Sequence, residues 1–219
     1  MINDQWNAVD HYIEAQIVGS DDALDAALHG STSAGLPAIA VSPAQGKLLH
    51  LLARAMHARS ILEIGTLGAY STIWLARALP ADGRLISLEV SPKHADVATA
   101  NIARAGLASV AVVRVGAALE TLPTLRSVAP FDLFFIDADK ANIPEYVRWS
   151  IDLGRSGSVI VVDNVVRDGA LADAASRDEA VLGVRRMHEM LAHDTRVSAT
   201  TIQTVGVKGY DGFTMIVVG

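Results

Sequence analysis

The chain has 219 residues, a formal net charge of −6 and no cysteine. Its length suits one sizeable domain, and the missing cysteine excludes disulfides, zinc–thiolate sites and cysteine nucleophiles. The acidic balance argues against non-specific nucleic-acid binding, which depends on Lys and Arg. No apolar run approaches the roughly 18 residues of a membrane span, and Met1–Trp6 lacks the pattern of a signal peptide. These features predict a soluble, cytoplasmic, globular protein without a nucleic-acid or membrane partner.

Residues 1–58 are predicted to form an N-terminal helical extension. Apolar side chains recur at helical spacing over residues 4–29. The Gly, Ser and Thr residues of 30–37 indicate a loop. Ser42-Pro43 is typical of a helix start, because proline is favoured in the first helical turn, and predicts a helix over 43–56.

From residue 59 onward, strand and helix patterns alternate. Continuous apolar strands separated by helices are typical of a doubly wound, mostly parallel sheet covered on both faces. Two last runs with a glycine-rich segment between them predict an antiparallel hairpin. The sequence therefore predicts a single α/β domain over 1–219, with a seven-stranded sheet in 59–219. The predicted strands are 60–64, 84–89, 110–115, 131–137, 158–163, 196–204 and 212–218, and the helices between them are 70–79, 93–105, 117–127, 141–154 and 179–193.

The turn after the first strand has the features of a ligand-binding turn. Ligands of open α/β sheets bind outside the carboxyl ends of the strands. Here Gly65 and Gly68 follow the strand, and glycine lets the backbone approach a ligand closely. Glu89 closes the second strand, where a carboxylate can accept hydrogen bonds from a ribose diol. A tight strand–helix connection would explain the glycines alone, but together with Glu89 they favour a nucleoside ligand.

The charge beside this turn discriminates between nucleosides. The spacing Gly65-x-x-Gly68 departs from the Gly-x-Gly-x-x-Gly pattern of a pyrophosphate-binding turn. Glu63 lies two residues before the first glycine and would repel a pyrophosphate. A ligand with an ammonium and a sulfonium group suits the same carboxylate. These features favour S-adenosylmethionine over NAD.

Two further strands end in oxygen donors. One ends at Asp137, three residues before Lys140, and the next ends at Asp163-Asn164. Carboxylate and amide oxygens without sulfur or imidazole favour a hard cation, Mg²⁺ first, with Mn²⁺ or Ca²⁺ as alternatives. A single aspartate is more often a helix cap or a loop residue. The prediction of a divalent-metal site therefore rests on the trio Asp137, Asp163 and Asn164.

A set of short segments occurs in a fixed order along the chain. Together they resemble the metal-dependent catechol and caffeoyl-CoA type O-methyltransferases, particularly their bacterial small-molecule members, from residue 36 to residue 219. The resemblance implies a Rossmann-like fold and a homodimer whose N-terminal helices cover the acceptor pocket. The segments are Val41-Ser42-Pro43, Glu63-Ile64-Gly65-Thr66, Tyr70-Ser71, Leu88-Glu89, Gly116-Ala117-Ala118-Leu119, Phe131-Asp132 through Lys140, and Asp163-Asn164.

The resemblance also implies roles for individual residues. Glu89 would hold the ribose hydroxyls, and the backbone near Ala118 would contact adenine. Lys140 would be the catalytic base, with Asp137 as a second catalytic residue between metal and methyl donor, and Asp139 and Lys140 would contact the acceptor. The positions that match the family's donor-binding residues are Val41, Glu63, Gly65, Thr66, Ser71, Glu89, Ala118 and Asp137.

Gly68-Ala69 departs from the family's pattern, which has a small polar residue followed by glycine. The glycine is displaced by one position. We expect the methyl group of Ala69 to be accommodated near the carboxylate end of the donor. The departure concerns the geometry of the turn and leaves the class of cofactor unchanged.

These residues predict methyl transfer from S-adenosylmethionine to a hydroxyl of a small catechol-like phenolic. Chelation of its vicinal oxygens by a divalent cation would lower the pKa of the hydroxyl, and Lys140 would take the proton. Two alternatives stay open. One is a methyltransferase for a modified nucleoside in RNA, which the acidic charge disfavours. The other is a non-catalytic protein that binds NAD or S-adenosylmethionine, which would have no need of the oxygen trio with Lys140.

Two features near this end of the chain have both a structural and a functional interpretation. Tyr146 and Trp149 follow helical spacing and are predicted to be core or dimer-interface residues rather than an aromatic clamp for the acceptor. The polar loop 167–178 is either a lid over the acceptor, since such loops carry specificity, or an ordinary surface loop.

Overall fold

The computed structural model describes residues 2–219, so Met1, at which the predicted extension begins, lies outside the described residues. The extension consists of α1 (Ile2–Ile13), a π-helical turn (Glu14–Val18), α2 (Asp22–Ser33) and α3 (Pro43–Ala55).

The helical pattern predicted over residues 4–29 is divided between two helices. Gly19 ends the π-helical turn, and the side chain of Asp21 caps α2 by accepting hydrogen bonds from the amides of Ala23 and Leu24. The loop predicted over 30–37 is wrong in its first residues, where α2 continues to Ser33. The hydroxyls of Ser31 and Thr32 donate to carbonyls one turn earlier, so these polar residues are satisfied within the helix.

The rest of the chain alternates strands and helices, and most elements lie within three residues of their predicted bounds. The helix predicted over 117–127 is the exception. It has four α-helical residues followed by a 3₁₀ helix, because Pro123 has no N–H to donate to an α-helical ladder. The elements are β1 (Ser60–Ile64), α4 (Tyr70–Ala76), β2 (Arg84–Glu89), α5 (Pro92–Arg104), β3 (Ala111–Val115), α6 (Ala118–Thr121) with a 3₁₀ helix (Leu122–Val128), β4 (Leu133–Ile136), a 3₁₀ helix (Lys140–Asn142), α7 (Ile143–Leu153), β5 (Val159–Asp163), a 3₁₀ helix (Ala170–Ala172), α8 (Glu179–His193), β6 (Val197–Gly206) and β7 (Gly209–Val218).

The sheet confirms the predicted fold class. Its strand order is β3-β2-β1-β4-β5-β7-β6. The pairs from β3 to β5 are parallel, while β7 runs antiparallel to both β5 and β6. The hairpin strands extend into the segment predicted to separate them, and only Val207 and Lys208 form the turn. The order reverses between β1 and β4, which makes their carboxyl ends the expected position for a ligand.

The strands β1, β4 and β5 are buried along their whole length because helices cover both faces of the sheet. Alternate residues of β1 show this directly. Leu62 and Ile64 pack into a core with α7 and α8, whereas Ile61 packs into a second core with α2 to α5. Among the described residues, no helix combines the length and apolar character that crossing a bilayer requires.

Candidate active site

A cavity of about 940 Å³ opens at the carboxyl ends of the parallel strands. Its volume is in the range of small-molecule sites. The N-terminal segment from Leu28 to Pro43 contributes much of one wall, and the turn of the β6–β7 hairpin contributes to another. The residues that close the strands line its floor: Gly65 after β1, Glu89 at the end of β2, Gly116 after β3, Asp137 after β4 and Asn164 after β5.

Seven of the eight predicted donor-binding residues lie on this wall. They come from the loop before α3, the turn after β1, the start of α4, the end of β2, the start of α6 and the residue after β4. They are Val41, Gly65, Thr66, Ser71, Glu89, Ala118 and Asp137.

Gly65 is required by the close approach of two strand ends. Ile64 pairs with Ile136 in the parallel ladder, so the next residues, Gly65 and Asp137, are neighbours. A Cβ on Gly65 would lie 2.2 Å from the carbonyl oxygen of Asp137, and its φ of +98° is a conformation that side chains disfavour. The sequence predicts that a glycine here lets the backbone approach a ligand closely. In the structure Gly65 lies on the cavity wall, and it also allows the backbone of Asp137 to come close.

The structure gives a reason for the displaced glycine of the turn. A Cβ on Gly68 would lie 1.9 Å from Oγ of Ser31, so α2 leaves no room for a side chain there. Ala69 takes the left-handed conformation (φ +69°) that glycine more often occupies. Its methyl group lies in the hydrophobic core rather than on the cavity wall. The methyl group is therefore accommodated by core packing, and its expected position near the carboxylate end of the donor stays a prediction.

Glu63 lies beneath the turn, fully buried, and is not part of the cavity wall. Its carboxylate accepts hydrogen bonds from the hydroxyls of Ser71 (2.6 Å), Thr72 and Ser87 (2.5 Å). Burial raises the pKa of Glu63 to about 7, although these hydroxyls act in the opposite direction. The carboxylate thereby ties the start of α4 to β1 and β2. Its predicted contact with the donor stays a prediction.

Glu89 fixes the other side of the turn. One carboxylate oxygen accepts hydrogen bonds from the amides of Thr66 (3.3 Å) and Leu67 (2.9 Å), and the other accepts from the amide of Ser91 (2.9 Å). The side chain lies at the end of β2 and on the cavity wall. Oε2 thus has both lone-pair sites in use, whereas Oε1 can accept one further hydrogen bond, such as one from a hydroxyl of a ligand, without releasing the turn.

Asp137 and Lys140 form an ion pair at the end of β4. Nζ of Lys140 donates to Oδ1 of Asp137 at 2.9 Å, and the lysine side chain is only 9% exposed. Lys140 begins a 3₁₀ helix that packs directly on α8. Gly183 of α8 allows this contact, because a Cβ there would lie 2.1 Å from the carbonyl oxygen of Lys140. Nothing in the local sequence marks Gly183 as part of the site.

Asp163 lies beside Asp137 because β4 and β5 are parallel and in register. Ile136 pairs with Val162, so the two aspartates follow paired residues on adjacent strands. Asp163 is 4% exposed, and burial together with the negative charge of Asp137 raises its pKa to about 6. Asn164, with φ of +55°, adds an amide next to them on the cavity wall.

This donor set fits a divalent cation. Two neighbouring carboxylates that repel each other, one of them buried, are stabilised by a shared positive charge. Their oxygens and an amide oxygen are typical ligands of Mg²⁺, Mn²⁺ and Ca²⁺. No cluster of three or more His, Asp and Glu side chains suited to a metal occurs over residues 2–219. The predicted trio contains only two side chains of these types, because its third donor is the amide of Asn164.

Asp139 and Tyr146 form a hydrogen-bonded pair at the rim of the cavity. The hydroxyl of Tyr146 donates to Oδ1 of Asp139 at 2.5 Å, and Nδ2 of Asn142 donates to Oδ2 at 2.7 Å. Burial and this hydrogen bond raise the pKa of Tyr146. Tyr146 is a core residue, as predicted from its spacing, but it also lies on the cavity wall. Its contribution to the site was not predicted, because helical spacing alone does not distinguish the two positions.

Asn101 is a second residue that sequence reasoning missed. It is buried on α5, and its amide donates to the carbonyl oxygens of Gly68 (2.9 Å) and Ala27 (3.2 Å). It thereby joins the glycine turn to α2. An asparagine within a helical pattern carries no sequence signal for such a bridge.

Of the loop 167–178, Arg167 lies on the cavity wall and the residues after it do not. The loop is therefore not a lid over the cavity in this conformation. The backbone amides of Val166 and Arg167 donate to Oδ1 of Asp211, which holds the start of the loop against the hairpin.

Comparisons with known proteins agree with this geometry. A family model described as O-methyltransferase matches residues 20–217. The catechol O-methyltransferase of Niastella koreensis is 52% identical over 220 residues, which cover 100% of both chains. The solved O-methyltransferase from Bacillus cereus in complex with SAH has a TM-score of 0.97 and 52% identity, with 100% of both chains covered. TomG from Streptomyces achromogenes, involved in tomaymycin synthesis and solved with SAM, has a TM-score of 0.96 and 53% identity over 100% of this chain and 99% of its own.

Proposed function

Since this chain belongs to the O-methyltransferase family and is an S-adenosylmethionine-dependent O-methyltransferase, we propose that it methylates one hydroxyl of a small catechol-like phenolic with the help of a divalent cation. The name of the Niastella koreensis relative, a catechol O-methyltransferase, supports this class of acceptor. Family membership disfavours the alternative of a non-catalytic nucleotide-binding protein.

One observation carries the proposal. The donor turn with Glu89, the Asp137–Lys140 ion pair and Asn164 converge on a single cavity, and Asp163 is buried beside Asp137 at the same sheet edge. Methyl transfer requires a donor and an acceptor in one geometry, and a cavity shared by these groups supplies that proximity.

The methyl donor binds at the turn after β1. Glu89 binds the ribose hydroxyls, and the start of α6 near Ala118 packs on the adenine. Gly65, Thr66 and Ser71 border the rest of the donor. Glu63 acts from below, by holding Ser71 and the turn in position.

The acceptor end is built around Asp137, Asp163 and Asn164, which would hold Mg²⁺, Mn²⁺ or Ca²⁺. A bound divalent cation supplies positive charge that lowers the pKa of a neighbouring phenolic hydroxyl. With a cation drawing on the charge of Asp137, Lys140 in its neutral amine form would receive the hydroxyl proton and become an ammonium, and Asp139 would orient the acceptor.

The transfer itself needs no covalent bond to the protein. A bond forms between the acceptor oxygen and the methyl carbon while the bond from that carbon to the sulfonium sulfur breaks, and its electron pair stays on sulfur. The protein contributes position and charge.

The test is methyl transfer from radiolabelled S-adenosylmethionine to caffeate, with Mg²⁺ and with EDTA. We expect EDTA to abolish turnover and added Mg²⁺ to restore it. Asp163→Asn should lower kcat by about 100-fold, since it removes one ligand charge, while calorimetry should find donor affinity nearly unchanged. Asp96→Asn, at an exposed position on α5, is the matched control. Turnover that is indifferent to EDTA would contradict the metal's role, and no methylation of any catechol would contradict the acceptor class.

A further inference from the structure

Arg167 is a cation on the cavity wall whose side chain has no hydrogen-bond or ion-pair partner among the described residues. It follows β5, three residues after Asn164. Its Nε is buried without a hydrogen-bond partner, and its guanidinium takes part in no ion pair within the described residues 2–219. A buried N–H without an acceptor is costly in free energy, so a native structure that retains one calls for an explanation.

The carboxylates on the same wall differ from Arg167, because each accepts hydrogen bonds from the protein. Their acceptor oxygens are therefore partly satisfied before any ligand enters. The pairs are Asp137 with Lys140, Asp139 with Tyr146 and Asn142, Glu89 with the amides of Thr66, Leu67 and Ser91, and Asp211 with the amides of Val166, Arg167 and Gly212.

The backbone of Arg167 is held in place from the side of the hairpin. The amides of Val165 and Asp168 donate to the carbonyl oxygens of Gly212 (3.1 Å) and Tyr210 (3.2 Å). With the bonds to Asp211, these contacts fix the turn on both sides of Arg167. The guanidinium is thus presented from a rigid support, which binding sites require.

Lys208 adds a second positive charge from the adjoining hairpin turn. It lies on the cavity wall, and its Nζ is 3.5 Å from the carbonyl oxygen of Ala38. Both cations belong to the β5–β7 side of the sheet, whereas the donor turn belongs to β1 and β2. These two cations, which form no ion pair among the described residues, therefore lie at the acceptor end.

We infer that Arg167 is a specificity-determining residue that binds an anionic substituent, a carboxylate, on the part of the acceptor remote from the reacting hydroxyls. The inference rests on the proposed function and deepens it. A planar guanidinium matches a carboxylate with two parallel hydrogen bonds. The acceptor class is accordingly a dihydroxyaromatic acid, in preference to a neutral catechol or to a catecholamine, whose ammonium group Arg167 and Lys208 would repel.

The experiment compares kcat/KM for caffeate, its neutral methyl ester and dopamine, with saturating donor and Mg²⁺. The wild type should prefer caffeate. Arg167→Gln should lower kcat/KM for caffeate by about 10- to 100-fold, the loss expected for hydrogen bonds between charged groups, and change the value for the ester by less than about threefold. Arg167→Lys should fall between them because it keeps the charge and loses the fork. Arg177→Gln, at an exposed position off the cavity wall, is the matched control.

Two outcomes would overturn the inference. An equal loss for caffeate and the ester would make Arg167 a structural residue. A raised KM for S-adenosylmethionine with unchanged acceptor preference would assign the guanidinium to the donor's carboxylate.

A binding measurement separates this inference from the proposed reaction. Calorimetry of caffeate and its ester in the presence of S-adenosylhomocysteine reports acceptor preference without turnover. Tighter binding of caffeate, lost in Arg167→Gln, would support the inference even if neither compound were methylated. Equal affinity of the wild type for the two compounds would overturn it.

Discussion

Glu63 is predicted to bind the methyl donor, and in the structure it supports the donor turn from below. Its carboxyl group is fully buried under the donor turn, among the hydroxyls of Ser71, Thr72 and Ser87. Desolvation disfavours the ionised form, which is why its pKa rises from 4.5 to about 7. Asp163 has a pKa raised to about 6 for the same first reason. The folded protein therefore holds protons at these carboxyls that the unfolded chain has already lost.

This pKa difference predicts how stability depends on pH. Between about pH 4.5 and pH 7 the native state binds more protons at Glu63 than the unfolded chain, so the free energy of unfolding falls as pH rises. Glu63→Gln cannot titrate, and we expect it to remove about 2 kcal/mol of this fall. Urea unfolding at about pH 5 and about pH 7.5 measures the effect, with exposed Glu120→Gln as the control. The same pH dependence in wild type and Glu63→Gln would contradict the assignment.

At the scale of elements, the position of Lys140 depends on a contact between α8 and the 3₁₀ helix that Lys140 begins. The two backbones touch at Gly183, where a Cβ would lie 2.1 Å from the carbonyl oxygen of Lys140 and 2.9 Å from Cα of Ala141. Backbone atoms cannot move aside as a flexible side chain can. The packing of two elements therefore sets the distance from Lys140 to the rest of the site.

Gly183→Ala tests this contact. Alanine favours the helix by about 1 kcal/mol, so α8 itself should form at least as well, but the 3₁₀ helix must shift. We expect kcat to fall by about 10- to 100-fold, since small misplacements of a catalytic group have large effects. The donor turn belongs to β1, so donor affinity should not change. Glu189→Ala, at an exposed position on α8, is the control. An unchanged kcat in Gly183→Ala would contradict a positioning role.

At the scale of the whole molecule, α1 of the N-terminal extension contacts the turn of the β6–β7 hairpin beside the cavity. Oδ2 of Asp10 on α1 accepts a hydrogen bond from the amide of Val207 in the hairpin turn at 2.8 Å. Gly206 leaves room for this carboxylate, because a Cβ there would lie 2.1 Å from it. The N-terminal extension therefore holds the hairpin turn, with Lys208, against the cavity.

Asp10→Ala should weaken the contact between α1 and the hairpin turn. We expect the KM for the acceptor to rise by about 5-fold, because the lost hydrogen bond lies outside the cavity and only part of its free energy affects acceptor binding, while donor affinity stays the same. Steady-state kinetics with both substrates measures the two constants, and Asp22→Ala, exposed on α2, serves as the control. A change confined to the donor constant would show that the hairpin turn does not border the acceptor.

The order of the elements and the main strand-end residues were predictable from the sequence. Strand and helix periodicities are properties of short segments, and the ends of parallel strands meet at one edge whatever the details of packing. For this reason Glu89, Asp137 and Asp163 could be assigned to one site before any distance was known.

Only the tertiary structure identified the residues that act through partners distant in the chain. Gly183 contacts Lys140, Asn101 bridges Gly68 to α2, and Glu63 lies below the turn instead of facing the cavity. Nε of Arg167 is buried without an acceptor among the described residues, and no local pattern in the sequence indicates such an unmet hydrogen bond. The physical reason is that periodicity records which way a residue faces along its own element, whereas contact, burial and unmet hydrogen bonds depend on how separate elements pack.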